Sequence, residues 1–437
     1  MKNKDLICEN LSVDDNGVLN FAGVSAVELA TKYGTPLFLM DEERIRYKCK
    51  TYLLAVKKYF GESSGVLYAS KALSFKRIYE IMKEEGMGID VVSQGEIFTA
   101  KRAGFPLKNA YFHSNNKTDE DIDYAIKNGV GTFVVDNEEE LVVIDKIARQ
   151  NGVKQKVLLR LTPGIDPHTY DAINTGKVDS KFGSAIETGQ AEEITRLAVS
   201  LKGVDLKGFH CHVGSQVFDS EVYIMASTVM LNFIKDMKVK LGFITEVLDL
   251  GGGYGVRYIE SQPNMDIEEN IRKVAEHIKN TVNSLEIDMP NIFFEPGRSI
   301  VADSGITLYT VGTVKRIKGY KNYVSVDGGM TDNPRFALYK ADYTLLPAYN
   351  MNISREMTAS IVGRCCESGD IIQENVKMPE TIKRGDVIAC LTTGAYNYSM
   401  SSNYNRIARP AVVMVNDKKD YVAVKRESLE DIVNLDV

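Results

Sequence analysis

Lys71 closes the apolar run Val66-Leu67-Tyr68-Ala69-Ser70 and stands just ahead of Ser74, where a strand-like stretch gives way to a helical pattern. An amine at the mouth of a strand–helix unit is placed for Schiff-base chemistry with a carbonyl. Equivalent strand ends downstream carry Asp90, His113, Asp136, Arg160, His212, glycines 251–253 and Glu295. Taken singly, each is most simply a solvated loop residue or a buried partner. Eight at matching places make one site. Outside this series lies Cys366, in Cys366-Glu367-Ser368-Gly369-Asp370. A thiol in a polar, glycine-bearing loop is unlike a core cysteine; it is either a proton donor to a carbanion or simply exposed.

The elements that must position these groups follow from periodicity. Eight β-type runs fall at 66–70, 88–92, 110–114, 131–136, 156–161, 206–213, 246–251 and 291–296. The intervals read as helices. Ser74 is expected to cap one whose buried face is Ile78, Ile81 and Met82 and which ends at Gly86. Asn137 and Glu140 form a capping-box pair ahead of Leu141, Ile144 and Ile147, with Gly152 as the stop. Strand–helix alternation implies a parallel sheet, and eight repeats imply a closed (β/α)8 TIM-like barrel with its active site at the C-terminal strand ends. Beyond about residue 300, short β-branched runs at 306–315, 323–326, 360–362, 386–391, 411–415 and 421–424 predict an all-β domain, a sandwich or barrel. The expected organisation is N-terminal strands over 1–35 joining that β domain, an α/β barrel over 36–296 and the C-terminal β domain over 297–437.

Successive glycines let backbone N–H groups approach a phosphate, so Gly252 and Gly253 form a candidate anion cradle; a plain strand-to-helix turn would look the same. Arg298, in Glu295-Pro296-Gly297-Arg298, is a second anion candidate and Tyr396 a third. Glu295 follows Phe293-Phe294, an apolar setting that penalises an unpaired carboxylate. Its partner is either Arg298 or a protonated ring nitrogen, and the latter would let that ring accept electrons. His212 pairs at i, i+2 with His210 on one strand face. Without a carboxylate or cysteine at matching spacing, a stacked imidazole is expected there rather than a metal ligand. Together with Lys71, these groups suit pyridoxal phosphate.

Composition bounds the rest. With 437 residues, 44% hydrophobic and 26% charged, the chain is an ordinary globular one of two or three domains. A net charge of −6 offers no electrostatic footprint for nucleic acid or an anionic membrane. No apolar run reaches spanning length and no signal-like segment opens the chain, so a cytoplasmic location is expected. Six scattered cysteines without a CxxC pair predict neither a disulfide framework nor structural zinc.

The motifs Tyr68-Ala69-Ser70-Lys71-Ala72, His212-Val213-Gly214-Ser215-Gln216, Gly251-Gly252-Gly253, Glu295-Pro296-Gly297-Arg298 and Cys366-Glu367-Ser368-Gly369-Asp370 resemble the meso-diaminopimelate decarboxylase family. That family is one of the alanine-racemase-like, fold type III pyridoxal-phosphate decarboxylases, and the resemblance runs from Gly34 to Pro410. It implies decarboxylation of meso-2,6-diaminopimelate to L-lysine and CO2, the last step of lysine biosynthesis. It further implies that Lys71 carries the cofactor, with Asp90 counted among the cofactor-binding groups. Ser215, Gly252, Gly253, Arg298 and Tyr396 would hold the phosphate, with His212 on the ring and Glu295 at its nitrogen. Arg298, Arg335, Tyr339 and Tyr396 would bind the distal carboxylate, Glu367 the distal ammonium, and Cys366 would be the general acid. The same resemblance implies a homodimer in which the Cys366–Glu367 loop enters the neighbouring subunit's site. Two segments depart from the family's pattern: Gly363-Arg364-Cys365 replaces Gly-Pro and an aliphatic residue, and Asn333-Pro334-Arg335-Phe336 replaces the common Leu-Ile-Arg-Pro order. The competing readings are a decarboxylase of ornithine, arginine, D-lysine or a carboxylated polyamine, a racemase on the same barrel, and a non-catalytic cofactor-binding protein.

Overall fold

The structure, a computed structural model, describes residues 6–165 and 181–437. The chain divides into two compact units, one of residues 1–47, 256–264 and 300–437, the other of residues 48–255 and 265–299. In the first, β1 (Leu11–Val13), β2 (Leu19–Phe21) and β3 (Val24–Ser25) form a small antiparallel sheet. The next strand, β4 (Leu37–Asp41), is buried at every position.

The second unit is the barrel. Its strands are β5 (Gly65–Ala69), β6 (Gly88–Val91), β7 (Ala110–Phe112), β8 (Thr132–Val135) and β9 (Gln155–Thr162), then, after the two-residue β10 (Ser184–Ala185), β11 (Val204–His210), β12 (Val247–Asp249) and β13 (Asn291–Phe294). Every pairing among them is parallel, and β13 returns to β5, so eight strands close on themselves. All eight expected strands are present; seven stop short of the expected polar end, and β9 instead runs one residue beyond its expected range at each end, with Arg160 inside it. A bulge in β11 between Leu206 and Gly208 resets the side-chain alternation. Phe209 then packs edge-on against Phe233 and Phe243, which leaves His210 to face the opposite way.

Two helix expectations need correction. The helix Lys76–Glu85 starts without a side-chain cap, because the Ser74 hydroxyl is engaged by the Tyr79 hydroxyl at 2.8 Å. Its stop is as expected, with Gly86 left-handed at φ 80°. Asn137 does cap Glu138–Gln150 through the Glu140 N–H. Glu140 does not complete a capping box; its carboxylate accepts instead from the buried Lys117 ammonium at 2.8 Å.

The first unit resumes with β14 (Gly305–Ile317), β15 (Lys321–Val326), β16 (Leu345–Pro347), β17 (Met357–Val362), β18 (Ile371–Met378), β19 (Val387–Cys390), β20 (Ala411–Asn416) and β21 (Lys419–Val424). They form one mixed sheet in which β4 lies between β14 and β20. Its core joins Leu37 and Leu39 to Ile306, Leu308, Val413 and Val415.

Candidate active site

Lys71 owes its position to a short turn. β5 runs into the 3-10 turn Ser70–Ala72, closed by the Leu73 N–H on the Ser70 carbonyl (3.1 Å) and by the Tyr68 hydroxyl on the Leu73 carbonyl (2.9 Å). Ser70 and Ala72 are buried, so Lys71 alone points outward. A Cβ on Gly297 would come within 2.9–3.1 Å of Ala69 and Ala72, so small residues are needed on both sides of this contact.

At the neighbouring strand ends the expected groups converge. Glu295, just past β13, sits 2.7 Å from His113 Nε2 through Oε1 and 3.1 Å from His210 Nε2 through Oε2. The alternative sequence reading, a Glu295–Arg298 ion pair, is not what forms. Arg298 donates instead from Nε and Nη2 to the Ser215 hydroxyl at 3.2 and 3.0 Å. Asp90 Oδ1 lies 4.0 Å from His113 Nε2.

The glycine run is cut to fit its surroundings. A Cβ on Gly252 would lie 2.1 Å from the Glu295 carbonyl oxygen, and one on Gly253 (φ 108°) 2.3 Å from that of Gly214. The Gly252 carbonyl also accepts from the buried Tyr223 hydroxyl at 3.2 Å.

Burial dominates the electrostatics. It lifts the Asp90 carboxyl to about 6, against the pull of His113, and Glu96 to about 7. Burial would raise Glu295 too, but the electrostatic influence of the adjoining His113 and His210 rings outweighs it and holds that carboxyl well below the usual range. Burial and the Glu295 charge push Asp249, at the end of β12, well above the ordinary value. The two carboxyls are thus pushed in opposite directions, Asp249 towards its neutral form and Glu295 towards its anion. His212 is held neutral by burial and by the charges of Lys71 and Arg160.

In the other unit, Arg335 and Tyr339 share the short helix Arg335–Tyr339 but part company: Arg335 is 6% exposed, Tyr339 36%. Arg335 donates from Nη1 to the Tyr343 hydroxyl at 2.6 Å, which in turn donates to Asn397 Oδ1 at 3.0 Å. Its guanidinium also lies 5.0 Å from the Tyr258 ring centre. Among the described residues no carboxylate pairs with it. Tyr396 is half-buried with a left-handed backbone (φ 66°).

Cys366 and Glu367 are exposed. Their loop is tied down by buried Asp370, whose carboxylate accepts from the Met330 and Cys365 N–H groups at 2.6 and 2.7 Å. At the departure Gly363-Arg364-Cys365, the Arg364 N–H reaches the Gly328 carbonyl at 3.0 Å, a bond that the family's proline would lack.

The comparisons with known proteins agree with this geometry. Residues 43–302 match the model of the pyridoxal-dependent decarboxylase pyridoxal-binding domain. Over 424 residues the chain is 43% identical to the diaminopimelate decarboxylase of Bacillus subtilis, covering 97% of this chain and 96% of that one. It is 41% identical to the Staphylococcus aureus enzyme of the same name, covering 96% and 98%. The chain belongs to the diaminopimelate decarboxylase family. Among solved structures, that of the diaminopimelate decarboxylase from M. jannaschi superposes with a TM-score of 0.89 at 32% identity, over 99% of this chain and 98% of that one. A lysine/ornithine decarboxylase of Vibrio vulnificus bound to putrescine is more distant, with a TM-score of 0.74 at 25% identity over 89% and 97%.

Family membership brings pyridoxal phosphate as the cofactor, and the residues present fit it. Glu295 Oε1 is buried without an aligned hydrogen bond, as an oxygen facing a ring N–H would be. Gly252 and Gly253 lack a Cβ where one would strike neighbouring carbonyls, the kind of bare backbone that a close approach to a phosphate requires. Three residues of the site escaped the sequence reading. His210 has its signal, two residues before His212, but that spacing by itself points only to a metal partner. The ligating atoms of His113, His210 and Glu295 do lie within 4.8 Å of one another, the spacing of a metal's ligands. Asp249 was hidden inside an apolar strand, and Tyr343 lies in an irregular segment without periodicity.

Proposed function

We propose that this protein decarboxylates meso-2,6-diaminopimelate to L-lysine and CO2 with pyridoxal phosphate attached to Lys71. When bound, the cofactor supplies the sink for the electron pair left on the carbon that loses CO2. Lys71 provides the ε-amine for covalent attachment. Glu295, held anionic, would face the ring nitrogen and favour its protonated form. His212, neutral, packs on the ring face. Ser215, Gly252, Gly253, Arg298 and Tyr396 hold the phosphate, and Asp90 lines the same end of the barrel. Cys366 delivers a proton to the reacting carbon. Arg335, with Tyr339, Arg298 and Tyr396, takes the distal carboxylate, and Glu367 the distal ammonium.

The observation that carries this reading is Arg335, a buried guanidinium aimed by Tyr343 with no carboxylate of its own among the described residues. A buried cation is costly unless an anion meets it. A substrate with a second carboxylate supplies that anion; ornithine or lysine would leave the guanidinium unpaired.

The exposed Cys366–Glu367 loop fits a homodimer in which each subunit lends this loop to its neighbour's site. No helix among the described residues is long and apolar enough to cross a membrane, and a cytoplasmic biosynthetic enzyme is the setting that suits this chemistry. Purified protein given pyridoxal phosphate and meso-diaminopimelate should release CO2 and lysine in equal amounts. Faster turnover of ornithine, arginine or D-lysine in a parallel panel would transfer the assignment to a sister decarboxylase.

A further inference from the structure

The environment of Glu295 holds more than its proposed role requires. Its two oxygens are used differently. Oε2 accepts from His210 Nε2 at 3.1 Å. Oε1 lies 2.7 Å from His113 Nε2, yet neither atom gains an aligned hydrogen bond. The His113 and His210 rings meet edge to face, centres 4.9 Å apart at 70°, so neither can swing away without displacing the other. His210 is 1% exposed, and among the described residues its Nδ1 has no hydrogen-bond partner. A carboxylate can only accept here, so His210 carries its hydrogen on Nε2 and gives it to Glu295.

We propose that His210 is a positioning residue for the pyridoxal phosphate site: it anchors Glu295 through Oε2 and leaves Oε1 aimed at the ring nitrogen. This rests on the functional reading above. The division of labour follows from packing. A carboxylate on a two-bond stem rotates about its terminal torsion, which has no sharp staggered minimum. Fixing one oxygen with a rigid, buried donor fixes the other. His113 crowds Oε1 without bonding it in line, so a ring N–H arriving there displaces no established hydrogen bond. Asp90, Arg160 and Asp249 face the same cluster. Of these, Asp249 accepts the Gly251 N–H at 2.8 Å and so ties the glycine cradle to the carboxylate end of the site. Burial keeps the His210 imidazole neutral, in keeping with donation from a single nitrogen.

The test is a titration of apo-protein with pyridoxal phosphate, following visible absorbance and borohydride-fixed label, for native protein, His210→Leu, His210→Gln, Glu295→Gln and the double variant His210→Leu/Glu295→Gln. Native protein should bind and label at Lys71; if it does not, the functional reading itself fails, and this inference with it. Given native binding, His210→Leu should weaken cofactor affinity about 10-fold or more, in the range seen when the partner of a ligating group is lost. His210→Gln, which keeps an N–H donor, should stay within about 3-fold of native. In the Glu295→Gln background the His210→Leu penalty should shrink to under about 2-fold, because the two act as one unit. An undiminished penalty there, or unchanged affinity in His210→Leu alone, overturns the proposal. Should His210→Leu fail to fold, His210→Gln decides: native-like affinity supports the anchor, and a 10-fold loss removes it.

Discussion

Glu295 and Cys366 serve the same proposed reaction from opposite surroundings. Glu295 is 6% exposed and held between His113 and His210, beside Asp249, whose carboxyl burial pushes well above its ordinary value. Cys366 is exposed, and only its backbone is anchored, by the Cys366 N–H on Asn405 Oδ1 at 2.9 Å and by Asp370 beneath its neighbour. The barrel end is therefore set before anything binds. The loop has an anchored backbone and exposed Cys366 and Glu367 side chains. Electron demand depends on charges whose positions cannot drift, which favours a dry and preorganised site. Proton delivery follows a substrate that must enter and leave, which favours an accessible group.

The largest effect that would break this contrast is at Lys71. Lys71→Ala should abolish turnover together with the visible absorbance of bound cofactor, read by spectrophotometry and lysine release; normal activity in that variant would end the covalent scheme. Cys366→Ala should behave differently. Turnover should fall by about 10²–10⁴-fold, the usual weight of a general acid, while cofactor absorbance stays native. Loss of cofactor in Cys366→Ala would mean that the loop is part of the preset site after all.

The preset end has a cost that pH exposes. Burial lifts Glu96, which accepts the Val92 N–H at 2.7 Å, from an ordinary 4.5 to about 7. Below pH 4.5 both folded and unfolded chains carry this proton. As pH rises from 4.5 to 7 the unfolded chain releases it while the folded one retains it, so stability falls, by up to about 3 kcal/mol. Glu96→Gln keeps the acceptor and removes the titration. Melting curves of apo-protein should show the variant losing less stability than native between pH 5 and 7.5. Parallel curves would place the Glu96 carboxylate in water.

Asp370 tests the loop from below. Asp370→Asn replaces one of two acceptor oxygens with a donor facing the Met330 or Cys365 N–H, and Gly363 and Gly329 leave no room for the amide to turn, since a Cβ on either would fall 2.2–2.6 Å from this carboxylate. A shift of about 1 Å in Cys366 should lower kcat about 10²-fold with cofactor affinity unchanged. A matching loss of cofactor affinity would show that the two regions are coupled.

The same contrast governs what could be read in the sequence. Strand ends were legible because a short apolar run and a polar stop coincide eight times, which is where the structure has Lys71, Asp90 and Glu295, at or beside the ends of β5, β6 and β13. The partner of Glu295 was not, because His210 lies 85 residues away and meets it only when the barrel closes. In the other unit, β18 went unseen: Gln373, Glu374 and Asn375 interrupt its apolar pattern, Asn375 takes φ 57°, and its pairing with β17 slips register. β4 is a buried run whose partners, β14 and β20, come more than 250 residues later, and nothing local announces such pairing.

Tyr343 offers the finest test, since it is preset like the barrel yet belongs to the same unit as the loop. Its hydroxyl receives the Arg335 guanidinium and gives its own hydrogen to Asn397, so a chain of two bonds fixes where Arg335 points. The Arg335 charge also helps offset the burial that raises this phenol. Tyr343→Phe removes the acceptor and keeps the ring whose face lies 5.5 Å from the guanidinium. Arg335 would remain buried and charged but free to turn. Losing one hydrogen bond to a charged group costs about 1.5–3 kcal/mol at most, and the substrate carboxylate recovers part of it on binding. The expected result is a KM for meso-diaminopimelate raised about 10-fold with kcat within about 2-fold, because the distal contact is made equally in ground and transition states. A fall in kcat at constant KM would instead assign Arg335 to alignment of the reacting carbon, which would bring it into the preset class with Glu295.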